Sequence, residues 1–125
     1  MGEAAVAPTL PAAPDEVPAA FAARFNSGDR DAVLDLYAAD AVFVPRSGPV
    51  ARGRAEIERA NDKFLGLGEP ITVRPRSVSV AGDVALLVVD WEIPAAGIRA
   101  TATDVARRGA DGRWRYVIDS PFGGS

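Results

Sequence analysis

The first quarter of the chain carries apolar residues at helical spacing. Val17, Phe21 and Phe25 recur every four residues, so they share one face of a helix. Asp15 is suited to cap the beginning of this helix. The turn at 26–28 ends it, because its glycine readily takes the left-handed conformation that follows many helices. The pattern predicts an amphipathic helix between these two points.

A second amphipathic pattern follows without a break. Asp29 is placed to cap a helix in which Val33, Leu36 and Tyr37 share one face. The β-branched and aromatic residues at 41–44 then predict a short strand. The first half of the chain therefore predicts helix, helix and strand in direct succession.

The rest of the chain predicts one more helix and four strands. The helix covers 54–65, where apolar residues again lie on one face. The strands cover 71–80, 83–93, 98–108 and 114–119. Each connection between consecutive strands contains a glycine, as antiparallel hairpins require. Three helices and meandering strands predict an α+β domain, with the helices packed on one face of a curved antiparallel sheet.

Length and composition fit a single globular domain. The chain has 125 residues, a length at which a folded domain buries about two-thirds of the surface of its unfolded chain. Of these residues 48% are hydrophobic and 25% are charged, which is ordinary for a globular protein. Residues 1–14 are rich in alanine and proline, so we expect a disordered tail there and one domain over 15–123. No apolar run has the length of a membrane span.

The charge and the missing residue types narrow the chemistry. A net charge of −3 gives no support for nucleic acid or an anionic membrane as partner. The chain has no cysteine and no histidine, so thiolate chemistry is excluded and the commonest metal ligand is missing. We expect no metal and no cofactor. A proton-transfer catalyst built from this chain must use a carboxylate or a tyrosine.

Four segments together resemble the NTF2-like, or SnoaL-like, superfamily of cone-shaped α+β domains. They are 26–29 (NSGD), 37–41 (YAADA), 52–57 (RGRAEI) and 103–122, which contains a Gly-x-Trp turn between two strands. The last segment is most similar to the DUF4440-type branch. The resemblance implies a cone with a hydrophobic pocket between the first helix and the sheet, and homodimerisation through the outer sheet face. We expect a cytoplasmic protein.

The resemblance carries over only part of the chemistry known in this superfamily. Ketosteroid isomerases use an aspartate base and an oxyanion hole made by a tyrosine and a protonated aspartate. Asp104 matches the oxyanion aspartate, but Phe21 stands at the tyrosine position and Pro45 at or beside the base. Polyketide cyclases of the superfamily use an Asp/His pair. Many DUF4440-type members carry histidines where Ile118 and Ser120 stand here.

Asp104 is the candidate catalytic residue. It interrupts a strand of small residues, which would leave room for a ligand, and an apolar setting would favour its protonated form. The alternative is a structural ion pair with Arg76 or Arg115. Asp90 follows an apolar run and alternates with Trp91, so only one of these two faces the interior.

The expected substrate contacts are aromatic residues and one further carboxylate. Large aromatic side chains are equally suited to the core, so pocket and core remain alternatives for them. The candidate substrate-binding residues are Phe21, Phe25, Tyr37, Trp91, Tyr116 and Asp119.

Two functions fit these features equally well. One is an isomerase-, cyclase- or hydrolase-type enzyme, or an accessory enzyme, that acts on a small apolar metabolite by carboxylate-assisted proton transfer. The other is a non-catalytic module for ligand binding or dimerisation. An open cavity in which Asp104 has no arginine partner would favour the enzyme.

Overall fold

A computed structural model describes residues 8–124. Its helices and strands follow one another in the predicted order, except for a short strand at Ala51–Arg52 that was not predicted. Short 3₁₀ turns lie at Pro14–Glu16 and Pro94–Ala96. The helices are α1 (Val17–Ser27), α2 (Arg30–Leu34) and α3 (Gly53–Leu65). The strands are β1 (Tyr37–Phe43), β2 (Ala51–Arg52), β3 (Thr72–Ala81), β4 (Val84–Ile93), β5 (Ile98–Arg108) and β6 (Trp114–Asp119).

The six strands form one curved sheet in the order β2-β1-β6-β5-β4-β3. From β6 to β3 the neighbours are antiparallel hairpins, as predicted. The pairing of β1 with β6 is parallel, which differs from the expected purely antiparallel sheet. The difference arises because the last strand returns to lie beside the first. The predicted α+β class with a curved sheet is confirmed.

The inner face of the sheet and the helices enclose the core. Strand β4 alternates strictly, with Leu87, Val89, Trp91 and Ile93 buried and their neighbours turned outward. Each such side chain contributes about 1.5–3 kcal/mol by leaving water. No helix within 8–124 is long and apolar enough to cross a membrane.

The joint between α1 and α2 follows the predicted capping signals. Gly28 has φ of 75° and donates its N–H to the Phe25 carbonyl, and Asp29 accepts a hydrogen bond from the Ala32 N–H at 3.2 Å. Asp15 does not cap α1, because it lies within the preceding 3₁₀ turn.

Tyr37 is not on the second helix, contrary to prediction. Helix α2 ends at Leu34, and Tyr37 is the first residue of β1. The Tyr116 N–H donates to the Leu36 carbonyl at 2.9 Å, so pairing with β6 already begins there. Sheet pairing overrides the helical spacing of the local sequence.

The second half of the predicted disordered tail packs against the domain. Pro11 is buried, and its carbonyl accepts a hydrogen bond from the Trp114 N–H at 2.9 Å. The buried guanidinium of Arg24 donates to the carbonyls of Pro8 and Thr9, at 3.1 and 3.2 Å. These bonds to the backbone need no apolar side chain in the segment, so composition could not reveal them. Residues 1–7 lie outside the described part of the chain.

Arg24→Ala tests the importance of this anchoring. The Arg24 guanidinium also donates to the Ala32 carbonyl at 2.7 Å, so the substitution removes three hydrogen bonds and leaves a buried acceptor unpaired. We expect the free energy of unfolding, measured in urea, to fall by about 2–3 kcal/mol. Arg59→Ala, on an exposed helix position, should change it by less than about 0.5 kcal/mol. Equal effects would contradict the assigned role.

Candidate active site

A cavity of about 60 Å³ lies between α1, α3 and the inner face of the sheet. Its deep part is buried, and half-buried side chains such as Phe64, Val73 and Pro121 form the side nearest to solvent. Ala102 lies on its wall, so the small residues of β5 do leave space, as predicted. The aromatic lining consists of Phe21, Phe25, Phe43, Phe64, Trp91 and Tyr116.

Asp104 points from β5 into this cavity. The residue is only 3% exposed, and its Oδ1 accepts a hydrogen bond from the Ser120 N–H at 2.9 Å. The alternative ion pairs are not formed, since Arg76 binds Asp90 at 2.8 Å and Arg115 binds Asp111 at 2.7 Å. Within residues 8–124 no cationic side chain pairs with Asp104.

Asp119 is the second carboxylic acid in the cavity wall, and a β-bulge aims it there. Val105 pairs with Ile118, but the next residue of β5, Ala106, pairs with Tyr116, so β6 carries one extra residue at Val117. In a regular strand Tyr116 and Asp119 would lie on opposite faces. The extra residue shifts the alternation, so both are buried and both line the cavity.

The side chains of Asp104 and Asp119 are hydrogen-bonded to each other. Burial raises the pKa of Asp104 well above its usual range, and the neighbouring charge of Asp119 raises it further. Burial also raises the pKa of Asp119, while hydrogen bonds from Tyr37 and Asp104 oppose that rise. The rise is larger for Asp104, so a proton shared by the pair resides on Asp104, with Asp119 as its ionised partner.

Tyr37 and Asn61 hold Asp119 from behind. The Tyr37 hydroxyl donates a hydrogen bond to Asp119 Oδ2 and accepts one from Asn61 Nδ2 at 3.2 Å. Tyr37 was expected to contact the substrate, but it is not among the cavity-lining residues. Its hydroxyl binds Asp119 instead. Burial and the negative charge of Asp119 raise the Tyr37 pKa, so the phenol remains a donor.

Asn61 lines the cavity and was not predicted. The only sequence signal for it is a polar residue on the buried face of α3, four positions after Ile57 and three before Phe64. Asparagine is a poor helix former that competes for backbone hydrogen bonds, so its presence at a buried helical position needs a specific partner. In the structure that partner is the Tyr37 hydroxyl.

Tyr116 brings a phenol into the cavity. No protein partner is found for its hydroxyl within 8–124, and no enclosed side-chain nitrogen or oxygen there lacks a hydrogen bond. The hydroxyl is therefore open to the cavity space. Burial and the nearby carboxyl groups of Asp104 and Asp119 raise its pKa, so it is a neutral donor.

The remaining predicted residues lie either in the cavity lining or on the opposite face of the sheet. Phe21, Phe25 and Trp91 line the cavity, and the Trp91 indole N–H donates to the Pro121 carbonyl at 2.7 Å. Asp90 lies on the opposite face of the sheet, where it accepts hydrogen bonds from Arg76 and Thr101. No cluster of metal-ligating side chains occurs in the described residues. The site thus offers an acid, a carboxylate and a phenol in apolar surroundings.

The raised pKa of Asp104 predicts a pH-dependent stability difference. A carboxyl group whose pKa is raised by folding stabilises the protein below its unfolded pKa of about 3.9, and this contribution is lost as pH rises through the folded pKa. Asp104→Asn keeps the shape of the protonated acid but does not titrate. In thermal unfolding from about pH 4 to about pH 9, the stability of the variant relative to the wild type should increase as pH rises.

Asp90→Asn supplies a control of opposite sign. The hydrogen bond from Thr101 and the bond from Arg76 lower the Asp90 pKa, so its carboxylate contributes stability above its unfolded pKa. The stability of this variant relative to the wild type should decrease as pH rises. A difference for Asp104→Asn that stays constant with pH would show that Asp104 is not protonated by burial.

Comparison with known proteins agrees with the fold. Residues 19–117 match the SnoaL-like domain family. A protein assigned as a calcium/calmodulin-dependent protein kinase type II association domain, from Thiobacillus denitrificans, shares 25% identity with a TM-score of 0.71. That alignment covers 92% of this chain and 98% of the other.

Two further solved structures of the same superfamily are similar. One, assigned as a dehydratase of the NTF2-like family from Streptomyces avermitilis, has 25% identity and a TM-score of 0.67, covering 86% of this chain and 91% of that one. The other is a ketosteroid isomerase-like protein from Erwinia carotovora, with 21% identity and a TM-score of 0.63, covering 85% and 89%. No curated protein sequence matches the chain. The DUF4440-type branch is not confirmed, but the chain belongs to the SnoaL-like domain family within the NTF2-like superfamily.

Proposed function

We propose that the protein is a cofactor-independent enzyme that moves a proton on a small, largely apolar metabolite held in this cavity. The observation that carries the proposal is the buried Asp104–Asp119 pair, which has no cationic partner within 8–124 and faces an apolar space. Two acids whose environments separate their protonation states supply a general acid and a general base at neutral pH. Purely structural carboxylates would be better stabilised by one of the chain's many arginines.

The site assigns a different role to each group. Ionised Asp119 is the base that removes a proton from carbon beside a carbonyl group. When the ligand binds, the Asp104 hydroxyl turns from Asp119 to the carbonyl oxygen, which frees an oxygen of Asp119 to act as the base. The Tyr116 hydroxyl donates to the same carbonyl oxygen, where negative charge develops. Tyr37 keeps Asp119 in place through its hydroxyl. The proton is then returned to the substrate by Asp119, or supplied by Asp104 to a leaving or acceptor oxygen, as in isomerisation, cyclisation or dehydration.

The similar proteins support this reaction class without specifying it. The Streptomyces avermitilis protein is assigned as a dehydratase, a reaction that begins with such a proton transfer. At 21% identity, the ketosteroid isomerase-like protein supports the fold alone. Phe21 and Pro45 still lack the groups that ketosteroid isomerases use at their positions. In our proposal Tyr116 replaces the missing phenol and Asp119 replaces the missing base, both from β6.

Exchange of α-protons on a model ketone tests the proposal directly. In deuterium oxide, the wild type should accelerate exchange at the carbons beside the carbonyl of cyclohexanone, followed by NMR. Asp119→Asn should lower the protein-dependent rate by about 10²-fold or more, because it removes the base. Asp104→Asn should lower it less, since an amide still donates a hydrogen bond.

The control for this experiment is Asp83→Asn, a carboxylate on an exposed turn beside Arg108. It should exchange cyclohexanone protons at the wild-type rate. Equal rates for wild type and Asp119→Asn would exclude the assigned base. Binding of the ketone without any acceleration would instead favour the alternative function.

That alternative is a non-catalytic module for ligand binding or dimerisation. It is favoured by the cavity volume of about 60 Å³, which is small beside typical ligand pockets of about 300–1,000 Å³. The Thiobacillus denitrificans relative is assigned as an association domain, in keeping with an assembly role. We retain the enzyme as the main proposal because a structural module has no need for a buried, partly protonated acid pair.

We also propose that the protein, in the cytoplasm, forms a homodimer through the outer face of its sheet. Four aliphatic residues, Leu86, Val105, Ile118 and Val42, are in register across β4, β5, β6 and β1. Leu86 is 43% exposed and Ile118 39%. Such a continuous apolar row is well suited to pack against its own copy about a two-fold axis.

Charge introduced into this row tests the dimer. The double variant Leu86→Lys/Ile118→Lys should be monomeric, by light scattering after gel filtration, where the wild type is dimeric. The matched control is Val80→Lys, which is 55% exposed but pairs with buried Ala85, away from the row. A wild type that is monomeric at tens of micromolar, or a double variant that still dimerises, would refute this interface.

A further inference from the structure

The chain's two asparagines differ in how their side-chain amides are used. Asn26 uses both ends of its amide, since its Nδ2 donates to the Ile71 carbonyl at 3.0 Å and its Oδ1 accepts from the Ile71 N–H at 2.8 Å. Asn61 uses only its nitrogen, which donates to the Tyr37 hydroxyl and to the Ile57 carbonyl, both at 3.2 Å. Within 8–124 its Oδ1 has no protein partner.

The orientation of the Asn61 amide is fixed by its neighbours. The Ile57 carbonyl can only accept a hydrogen bond. The single proton of the Tyr37 hydroxyl is donated in the hydrogen bond to Asp119, so this hydroxyl can only accept from Asn61. Both neighbours therefore require the NH₂ group of Asn61. Flipping the amide would place its oxygen against two acceptors. The Oδ1 must point away from Tyr37 and Ile57.

The Asn61 oxygen consequently faces the cavity. Asn61 is only 2% exposed and belongs to the cavity lining. No enclosed side-chain oxygen or nitrogen in the described chain lacks a hydrogen bond, so this unpaired oxygen must be open to the cavity space. A polar atom in so apolar a setting is costly unless a ligand or water satisfies it.

The cavity therefore presents a fixed acceptor in addition to the proposed donors. Asp104 and Tyr116 offer hydroxyl protons, which suit a carbonyl oxygen. Asn61 Oδ1 offers only lone pairs, which suit a hydroxyl or an N–H group. Asp119 Oδ2 accepts from the Tyr37 hydroxyl, and the other Asp119 oxygen, once the Asp104 hydroxyl has turned to the ligand, is the proposed base. A ligand that matches all of these groups needs one acceptor and one separate donor.

We infer that Asn61 is a specificity-determining residue and that the site selects small neutral hydroxy ketones over the corresponding simple ketones. This inference rests on the proposed function, because it assumes that a carbonyl compound occupies the cavity. The ligand's hydroxyl donates to Asn61 Oδ1 while its carbonyl accepts from Asp104 and Tyr116. A simple ketone would leave the Asn61 oxygen unpaired or hydrated, at a cost in affinity.

A ligand series that differs only at the hydroxyl tests this inference. Binding of cyclohexanone, its hydroxy derivatives and their methyl ethers is measured by ligand-observed NMR titration. Two hydroxycyclohexanones are used, with the hydroxyl on the carbon beside the carbonyl or one carbon further. We expect the better of the two to bind the wild type about five- to tenfold more tightly than cyclohexanone. The methyl ether, which cannot donate, should show no such gain.

Asn61→Ala separates recognition from structural damage. Loss of the contact to Tyr37 would weaken every compound to the same extent, so the test is the ratio of affinities. That ratio should fall to about one in Asn61→Ala and remain at the wild-type value in Asp62→Asn. Asp62 is the next residue of α3 and faces Arg30 instead of the cavity.

The outcomes distinguish this inference from the proposed function. Binding of all compounds with equal affinity, or a ratio unchanged in Asn61→Ala, overturns the role of Asn61 but leaves the proton-transfer site standing. Failure of every compound to bind overturns both. Should Asn61→Ala not fold, the wild-type comparison of alcohol, ether and parent ketone decides alone, because a methyl ether that binds as tightly as the alcohol refutes the inference.

Discussion

The site depends on one interaction, the hydrogen bond between two buried carboxyl groups that have no counter-ion within residues 8–124. Placing a single ionised carboxylate in an apolar interior costs several kcal/mol, and a second one nearby would add strong repulsion. Sharing one proton removes that repulsion. The remaining charge on Asp119 is stabilised by donors from Tyr37 and Asp104, while the Ser120 N–H holds the other oxygen of Asp104. The surroundings are organised to keep one proton on the pair.

Two irregularities in the sheet make this arrangement reachable. The extra residue at Val117 turns Asp119 inward while leaving Tyr116 inward as well. The parallel return of β6 beside β1 then brings Tyr37 and Tyr116 opposite each other, with ring centroids 5.4 Å apart. Neither feature belongs to a regular antiparallel meander. Together they gather a carboxylate and two phenols, while β5 contributes Asp104 from the neighbouring strand.

The sequence was sufficient to predict most of the elements and to name both acids as candidates, but not that the two acids meet. Helical spacing, caps and hairpin glycines marked most boundaries, and β5 and β6 begin and end where predicted. Alternation correctly separated Asp90 from Trp91, and the small residues around Asp104 signalled space. These are local properties, which sequence patterns encode well.

The remainder of the site depends on non-local pairing. Tyr37 carries a helical spacing, yet it joins a strand because β6 returns to that position. A bulge has no strong signature without glycine, so the meeting of Asp104 with Asp119 was not foreseeable from period-two alternation. Asn61 is visible in the sequence only as a polar residue on an apolar helix face. The reason for an asparagine at this position is its hydrogen bond to Tyr37, which lies 24 residues earlier in the chain.

The electrostatics of the pair also constrain the charge of any ligand. With one proton on the pair the cavity holds one negative charge, and Arg76 and Arg115 bind Asp90 and Asp111 instead of the site. An anionic ligand would meet repulsion that the low dielectric of an apolar cavity strengthens. A cation would pair with Asp119 and lower its basicity. A neutral carbonyl compound avoids both effects, and it is also the class in which a carboxylate base and neutral hydroxyl donors assist proton removal from carbon.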